Sequence, residues 1–356
     1  MRAGQEPKPR HHTIAASSAL TAAVLAVGIT TANTTASAQD CKAGLRRINI
    51  GVAASPPNVV HTSPYVAKAL GFFAKRCLDV NIVQFEGGLS PASVTAVAQG
   101  GTLSGANEIG IGRGLKVTQV WALAQRLPQV YMVAEGIKTP ADLKGKRLSA
   151  TGGGIGGFQW RIAREILKSA SLETTDANFI NAATAGRVPG LVTGQIDGVA
   201  LAPEDAFLAR QQKPNVNSLL LVADLLPQFM YNAYGASLDW LARDRPLLRD
   251  AVAGMIEANR AMFTDRARVL PVVIEATQKP KDAVEYALDF LTRNCVWSVN
   301  HGLDPETTTW NIENSIRNGD LDAARKPSVA QVADFKFADE AVETAGGRVK
   351  LGNCTK

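Results

Sequence analysis

The chain is poor in the residues that metal sites and nucleophilic catalysis draw on. Of its 356 residues, four are cysteine and four are histidine, and aromatic residues make up 6%. No two cysteines stand in a Cys-x-x-Cys spacing and the histidines are scattered, so a zinc or cluster site is not expected. A Gly-x-Ser-x-Gly elbow is lacking too, which speaks against a serine hydrolase. The 38 basic residues outnumber the 32 acidic ones, for a formal charge of +6, yet they form no basic run. A mild, dispersed positive balance suits small anionic molecules better than nucleic acid. Past residue 38, no segment approaches the 18 uncharged apolar residues of a spanning helix.

What is present begins with a leader. Arg2, Lys8 and Arg10 form a basic start, Ala15 to Ile29 is small and apolar, and Ala36-Ser37-Ala38 is a small-x-small site. That order predicts a secretory signal peptide over residues 1–38, cleavage after Ala38 and a periplasmic mature protein. Asp40 argues against lipid attachment at Cys41, because a small residue is needed there. All four cysteines, Cys41, Cys77, Cys295 and Cys354, follow the leader. An even number in an oxidising compartment predicts two disulfides. Three connectivities are open, and Cys41–Cys77 with Cys295–Cys354 is the favoured one.

The densest signal lies between Arg147 and Lys168, where a short strand meets five glycines within Gly152–Gly157 and then an amphipathic helix. Glycines let the backbone come close to a ligand, and the free N–H groups at a helix start favour an anion. Gly153, Gly154, Ile155 and Gly156 are therefore candidate backbone donors. The run also fits the Gly-x-Gly-x-x-Gly dinucleotide pattern. That pattern needs an acidic residue at the end of the next strand to hold a ribose, and Asn178-Phe179-Ile180-Asn181 supplies none.

Elsewhere strands and helices alternate. Ile48–Ala53 and Asp79–Phe85 read as strands, Ser63–Arg76 as a helix, and Ser90 as the cap of a helix starting at Pro91. Such alternation predicts parallel sheets with ligands beyond the carboxyl ends of the strands. The loops Ala54–Asn58, Gly87–Ser90 and the glycine run then converge on one rim. Leu127-Pro128-Gln129 and Leu226-Pro227-Gln228 each precede an extended, aromatic-containing run. The roughly 100 residues between them are near the usual size of a domain. The expected organisation is two hinged lobes: residues 39–127 begin lobe I, 128–228 form lobe II, and 229–356 return to lobe I with C-terminal helices.

Among side chains, Arg187 opens the helix after the Asn178–Ala182 strand and offers a planar fork for an oxyanion. Arg113 has the same chemistry. Glu204, beyond the strand Gly198–Ala202, is placed either to meet an amine or hydroxyl or to favour a helix N-terminus. Ser55, Asn58 and Ser90 are candidate donors from the opposite wall, beside Gly88 and Leu89 in the second loop. His61 serves equally as a loop residue. Glu108–Gly112 and Lys116–Leu123 read as consecutive parallel strands with only Arg113-Gly114-Leu115 between them. A parallel crossover needs about a dozen residues, so one of the two strands is in conflict with the topology.

These segments resemble a family. Tyr65–Phe85 (YVAKALGFFAKRCLDVNIVQF) is similar to the helix, Gly-Phe-Phe and strand opening of the periplasmic binding proteins for nitrate, sulfonate and taurine. Ile137–Arg147 (IKTPADLKGKR) resembles that family's entry to the second lobe, and Leu191–Ala200 (LVTGQIDGVA) its Leu-x-x-Gly-x-x-Asp helix end and strand. The resemblance implies a two-lobed α/β fold of the type II periplasmic-binding-protein kind, with a mostly parallel sheet in each lobe and the ligand cleft between them. It implies a non-enzymatic receptor without cofactor or metal, monomeric, whose partners are a small-molecule ligand and an ABC importer permease. The competing readings are a remodelled relative with an interaction role, and an enzyme on the same fold such as a thiamine-pyrimidine synthase. That synthase carries a cysteine-rich iron motif missing here.

Overall fold

The computed structural model describes residues 41–150, 154–181 and 183–356, so the expected leader and Gly153 lie outside the described residues. The strands are β1 (Arg46–Val52), β2 (Leu78–Gln84), β3 (Thr102–Gly105), β4 (Val117–Ala124), β5 (Val130–Val133), β6 (Arg147–Ser149), β7 (Asn178–Ile180), β8 (Gly198–Leu201), β9 (Asn217–Leu221) and β10 (Tyr231–Ser237). Among the described residues they form two five-stranded sheets, in the orders β2-β1-β3-β10-β4 and β7-β6-β8-β5-β9. In the first sheet β1 runs parallel to β2 and β3, while β10 is antiparallel to β3 and β4. In the second, β6 is parallel to β7 and β8, while β5 is antiparallel to β8 and β9. Each sheet is thus mostly parallel with one reversed strand, and helices flank both. The chain leaves the first sheet at Leu127-Pro128-Gln129 and re-enters it after Leu226-Pro227-Gln228, since β10 returns beside β4.

Burial follows the expected pleat. Ile48, Ile50 and Val52 of β1 are buried with Leu103 of β3 and Val120, Trp121 and Leu123 of β4. Each such side chain contributes about 1.5–3 kcal/mol when taken fully out of water. All eight residues of β4 are buried, although it is an edge strand. C-terminal segments cover that edge: Ala122 N–H donates to His301 (2.9 Å) and Asp334 N–H to the Gln119 carbonyl (2.9 Å). Covering an edge removes a template for aggregation. Disulfides Cys41–Cys77 and Cys295–Cys354 staple the start and end of this body.

Two local expectations change. Glu108–Gly112 is a short helix, not a strand. Asn107 caps it, its Oδ1 accepting from Gly110 N–H at 3.0 Å. The alternation of Ile109 and Ile111 imitates a strand period, while Asn107 followed by Glu108 in the first turn suits a helix start. The topological conflict disappears with it: residues 106–116 connect β3 to β4, and β10 lies between those two strands. The helix expected over Ser63–Arg76 is also broken, into Ser63–Ala69 and a 3-10 turn at Ala74–Arg76. Gly71 stands at the break with φ +79°, a left-handed conformation that ends a helix.

The C-terminal helices do more than pack on the first sheet. Asp320, just past helix Pro305–Arg317, accepts two 2.8 Å hydrogen bonds from Arg164 on helix Phe158–Ser169 of the second lobe. Elsewhere Lys279 pairs with Asp205, and Phe207 stacks on Tyr286 at 5.1 Å. The two lobes are held together at two separate places.

Candidate functional site

The loops that follow β1, β2 and β6 meet the β10 approach around a cavity of about 770 Å³. Close backbone packing sets the first-lobe wall. A Cβ on Gly105 would stand 2.4 Å from the Gly88 carbonyl oxygen, so only glycine lets the second loop lie against β3. In the second lobe, Gln159 exchanges hydrogen bonds with Ala200 (2.7 and 3.0 Å), which ties the start of helix Phe158–Ser169 to β8. Gly157 precedes that helix as its N-cap, and Gly156 and Gly157 both reach the cavity.

Of the three arginines that line the cavity, Arg161 is paired with Asp320 (3.3 Å) and Arg113 donates to the Asp320 carbonyl (2.9 Å), which leaves Arg187. Its Nη2 donates to Thr184 Oγ1 (3.1 Å), while Thr184 in turn donates through Oγ1 (2.9 Å) and N–H (3.3 Å) to Glu86. Arg187 Nε is buried without a hydrogen-bond partner, and the guanidinium makes no ion pair among the described residues. Burial holds its pKa below the ordinary guanidinium value, against the opposing pull of Asp205, Tyr231 and Glu86. Arginine keeps its proton regardless. The outcome is a half-buried charge with incomplete compensation, which an incoming anion would complete.

Neutral groups line the cavity as well. Burial first, then the Arg187 charge, depress His61 from 6.5 to about 3. Burial pushes the Tyr231 phenol up to about 12. The Tyr231 hydroxyl lies 3.2 Å from His61 Nε2, and His61 Nδ1 has no partner. Asn232, the next residue, has φ +60° and an unpartnered buried Nδ2, with its Oδ1 packed toward Gly88. Asparagine is one of the few non-glycine residues that enters this left-handed region readily. Gln129 also lines the cavity, with a buried Oε1 that lacks a partner.

Of the residues singled out from sequence, Asn58, Gly88, Leu89, Ile155, Gly156 and Arg187 line the cavity, as do His61 and Arg113. Ile155 sits on the rim at 70% exposure. Gly154 is just behind, with φ +68°, and Gly153 is outside the described residues. Ser55 points away and donates to Gln84 Oε1 (3.0 Å). Ser90 is buried as the helix cap, its Oγ accepting from Ser93 N–H (3.4 Å). Glu204 lies behind Asn58 and off the cavity wall. Its Oε1 accepts from Asn58 Nδ2 (3.0 Å) and Val59 N–H (2.9 Å), while Asp205 accepts from the same Asn58 amide (2.9 Å). Burial, then the Asp205 charge, raise the Glu204 pKa. This buried pair anchors the first-lobe loop to the second lobe.

Sequence reasoning passed over Phe158, Arg161, Phe229, Tyr231, Asn232 and Gln129. Gln129, Phe229 and Tyr231 carried a signal, because they belong to the paired Leu-Pro-Gln segments that marked the hinge. Arg161 did not, since a buried arginine on an amphipathic helix looks like any polar-face residue until its partner Asp320 (3.3 Å) is in view.

Two mostly parallel sheets, a chain that crosses twice between them, and a cleft at the strand ends define a two-lobed binding-protein fold. The chain belongs to the family described as NMT1/THI5 like, whose model matches residues 58–266. The alkanesulfonate-binding protein SsuA from Xanthomonas axonopodis pv. citri, solved with bound MOPS, is similar in fold. Its TM-score is 0.62 at 17% identity, covering 83% of this chain and 98% of that one. The periplasmic nitrate-binding protein NrtA from Synechocystis PCC 6803 gives 0.65 at 16% identity, covering 84% and 89%. The desulfurization enzyme DSZB gives 0.59 at 15% identity, covering 84% and 99%. A comparison with curated protein sequences returned no match.

Proposed function

We propose that this protein is a periplasmic solute receptor that closes over a small anionic molecule and presents it to the permease of an ABC-type importer. The observation that carries the reading is Arg187, a half-buried arginine at the cavity wall whose buried Nε has no hydrogen-bond partner and whose guanidinium makes no ion pair among the described residues. Neutral donors and acceptors from His61, Tyr231 and Asn232 line the same cavity, which suits binding and orientation of an anion. Membership of the family and a fold shared with SsuA and NrtA, named for binding alkanesulfonate and nitrate, support the transport role.

DSZB shows that an enzyme can use this architecture. The groups around Arg187 favour the receptor. His61 at about 3 is too weak a base near neutrality, and all the cysteines are in disulfides, leaving no free thiol. A thermal-shift screen with nitrate, methanesulfonate, taurine, benzenesulfonate and acetate tests the proposal. An anion at a hundredfold excess over its Kd raises stability by about 2.7 kcal/mol. A flat response to all five, from protein freed of ligand by unfolding and refolding, would remove the basis for the receptor.

A further inference from the structure

We infer that the anion this cleft takes carries an aromatic body, an aryl sulfonate or aryl carboxylate, with the charge at Arg187 and the ring against Phe158, Phe229 and Tyr231. The inference rests on the receptor reading above and narrows its ligand.

Size comes first. At about 30 Å³ per water, the 770 Å³ cavity holds roughly 25 waters. A four-atom oxyanion displaces one or two of them and leaves most of the wall wet. Much of that wall is apolar, including Ala53, Leu89, Val94, Phe158, Phe229 and Met230. An occupant that gains from the hydrophobic effect needs an apolar body as well as a charge.

The aromatic side chains set the shape of that body. Phe158 and Tyr231 have ring centroids 5.5 Å apart at 48°, and Phe158 and Phe229 are 6.4 Å apart at 64°. The Arg161 guanidinium lies 5.8 Å from the Phe229 centroid, on a side chain already held by Asp320. Packing alone is the simpler account of these rings, since they also touch the second-lobe core. The core rings Trp121, Tyr131 and Trp297 are 0–1% exposed, and the stacked pair Phe207 and Tyr286 is half-buried without lining the cavity. Phe158, Phe229 and Tyr231 remain half-buried and face the cavity. Tilted rings with an open side offer the edge-to-face and offset contacts that another aromatic ring prefers.

Tyr231 also sets the spacing. Its ring packs on Phe158 (5.5 Å) while its hydroxyl lies 3.2 Å from His61 Nε2, and His61 and Arg187 line the same cavity. One tyrosine side chain therefore joins the aromatic wall to the polar groups of the cavity. A ligand with its anionic group attached directly to a six-membered ring has the same reach.

Calorimetry with matched probes tests this: benzenesulfonate against cyclohexanesulfonate, with taurine and nitrate alongside. Benzenesulfonate should bind about fivefold or more tightly than cyclohexanesulfonate, the margin expected of aromatic pairing beyond area alone. Phe158→Leu and Phe229→Leu, made separately so that one folded variant suffices, should bring that ratio close to one. Near-ultraviolet circular dichroism checks that each variant is native. Equal or tighter binding of cyclohexanesulfonate, or a ratio untouched in both variants, overturns the aromatic inference and leaves the receptor standing. No binding of any probe overturns both.

Discussion

Asp320→Ala should unfasten one flank of the cleft at a large cost in stability. Asp320 accepts two 2.8 Å hydrogen bonds from Arg164 and lies 3.3 Å from Arg161. Both arginines are buried, at 5% and 8% exposure, so the substitution strands two guanidinium groups in a poorly hydrated place. Arg164 retains Glu165 as a partner, which limits the loss. Breaking a buried pair by removing one member costs about 3–5 kcal/mol. With an unfolding entropy of about 2.1 cal/mol/K per residue over roughly 310 residues, that is a fall of about 5–8 °C in Tm. Asp79→Ala is the matched control. Its pair with Arg47 is 3.4 Å long between side chains 47% and 89% exposed, and such pairs contribute about 0–1 kcal/mol. Scanning calorimetry with urea titration measures both variants. If Asp320→Ala costs no more than Asp79→Ala, the arginines are solvated in solution and the flank is not a fastening.

Three further perturbations separate architecture from binding. Gly154→Val forces a β-branched residue into φ +68°, where its Cβ meets nothing closer than Asn181 Nδ2 at 4.0 Å. Stability should fall by about 1–2 kcal/mol from backbone strain, and anion affinity should drop severely. Unchanged binding by a natively folded variant would mean that the glycines only make a turn. Asn232→Gly relieves φ +60° and deletes the unpartnered Nδ2, so stability should hold or rise by up to ~1 kcal/mol while affinity falls; unaltered affinity would discharge Asn232 from the site. His61 makes stability depend on pH. Its folded pKa, about 3, lies below the 6.5 of an unfolded histidine, so its contribution is present above 6.5 and is lost as pH falls toward 3. At 1.36 kcal/mol per unit the loss by pH 4 is about 3 kcal/mol. His61→Gln should flatten the denaturation midpoint between pH 6.5 and 4, and an unchanged slope would place the titration elsewhere.

Local rules made much of the fold legible. Ser90 followed by proline marked a helix start that the structure shows capped, and the alternation of short strands and helices indicated parallel sheets. The paired Leu-Pro-Gln segments marked where the chain changes sheets, because proline ends a ladder wherever it falls. Glu108–Gly112 misled because two isoleucines at period two outweighed a short cap in a five-residue window. The fastening of the cleft was illegible for a different reason. Arg164 and Asp320 are 156 residues apart, as Asn58 and Glu204 are 146 apart. Nothing local to either residue records its partner. Glu204 reads as a rim carboxylate until burial shows it turned inward against the first-lobe loop. Arg187 was legible as chemistry, and only the structure shows that the charge lacks an ion pair among the described residues.

The most direct measurement is isothermal titration of the anion that shifts the melting temperature furthest, into wild-type protein and Arg187→Ala. Loss of a charged hydrogen bond of about 1.5–3 kcal/mol corresponds to about 10- to 150-fold weaker binding. Arg210→Ala, an exposed arginine on helix Pro203–Gln212, should leave the affinity unchanged. Binding at one site per chain, weakened by that factor in Arg187→Ala alone, is the result expected of an anion receptor. Equal affinity in all three proteins would contradict it.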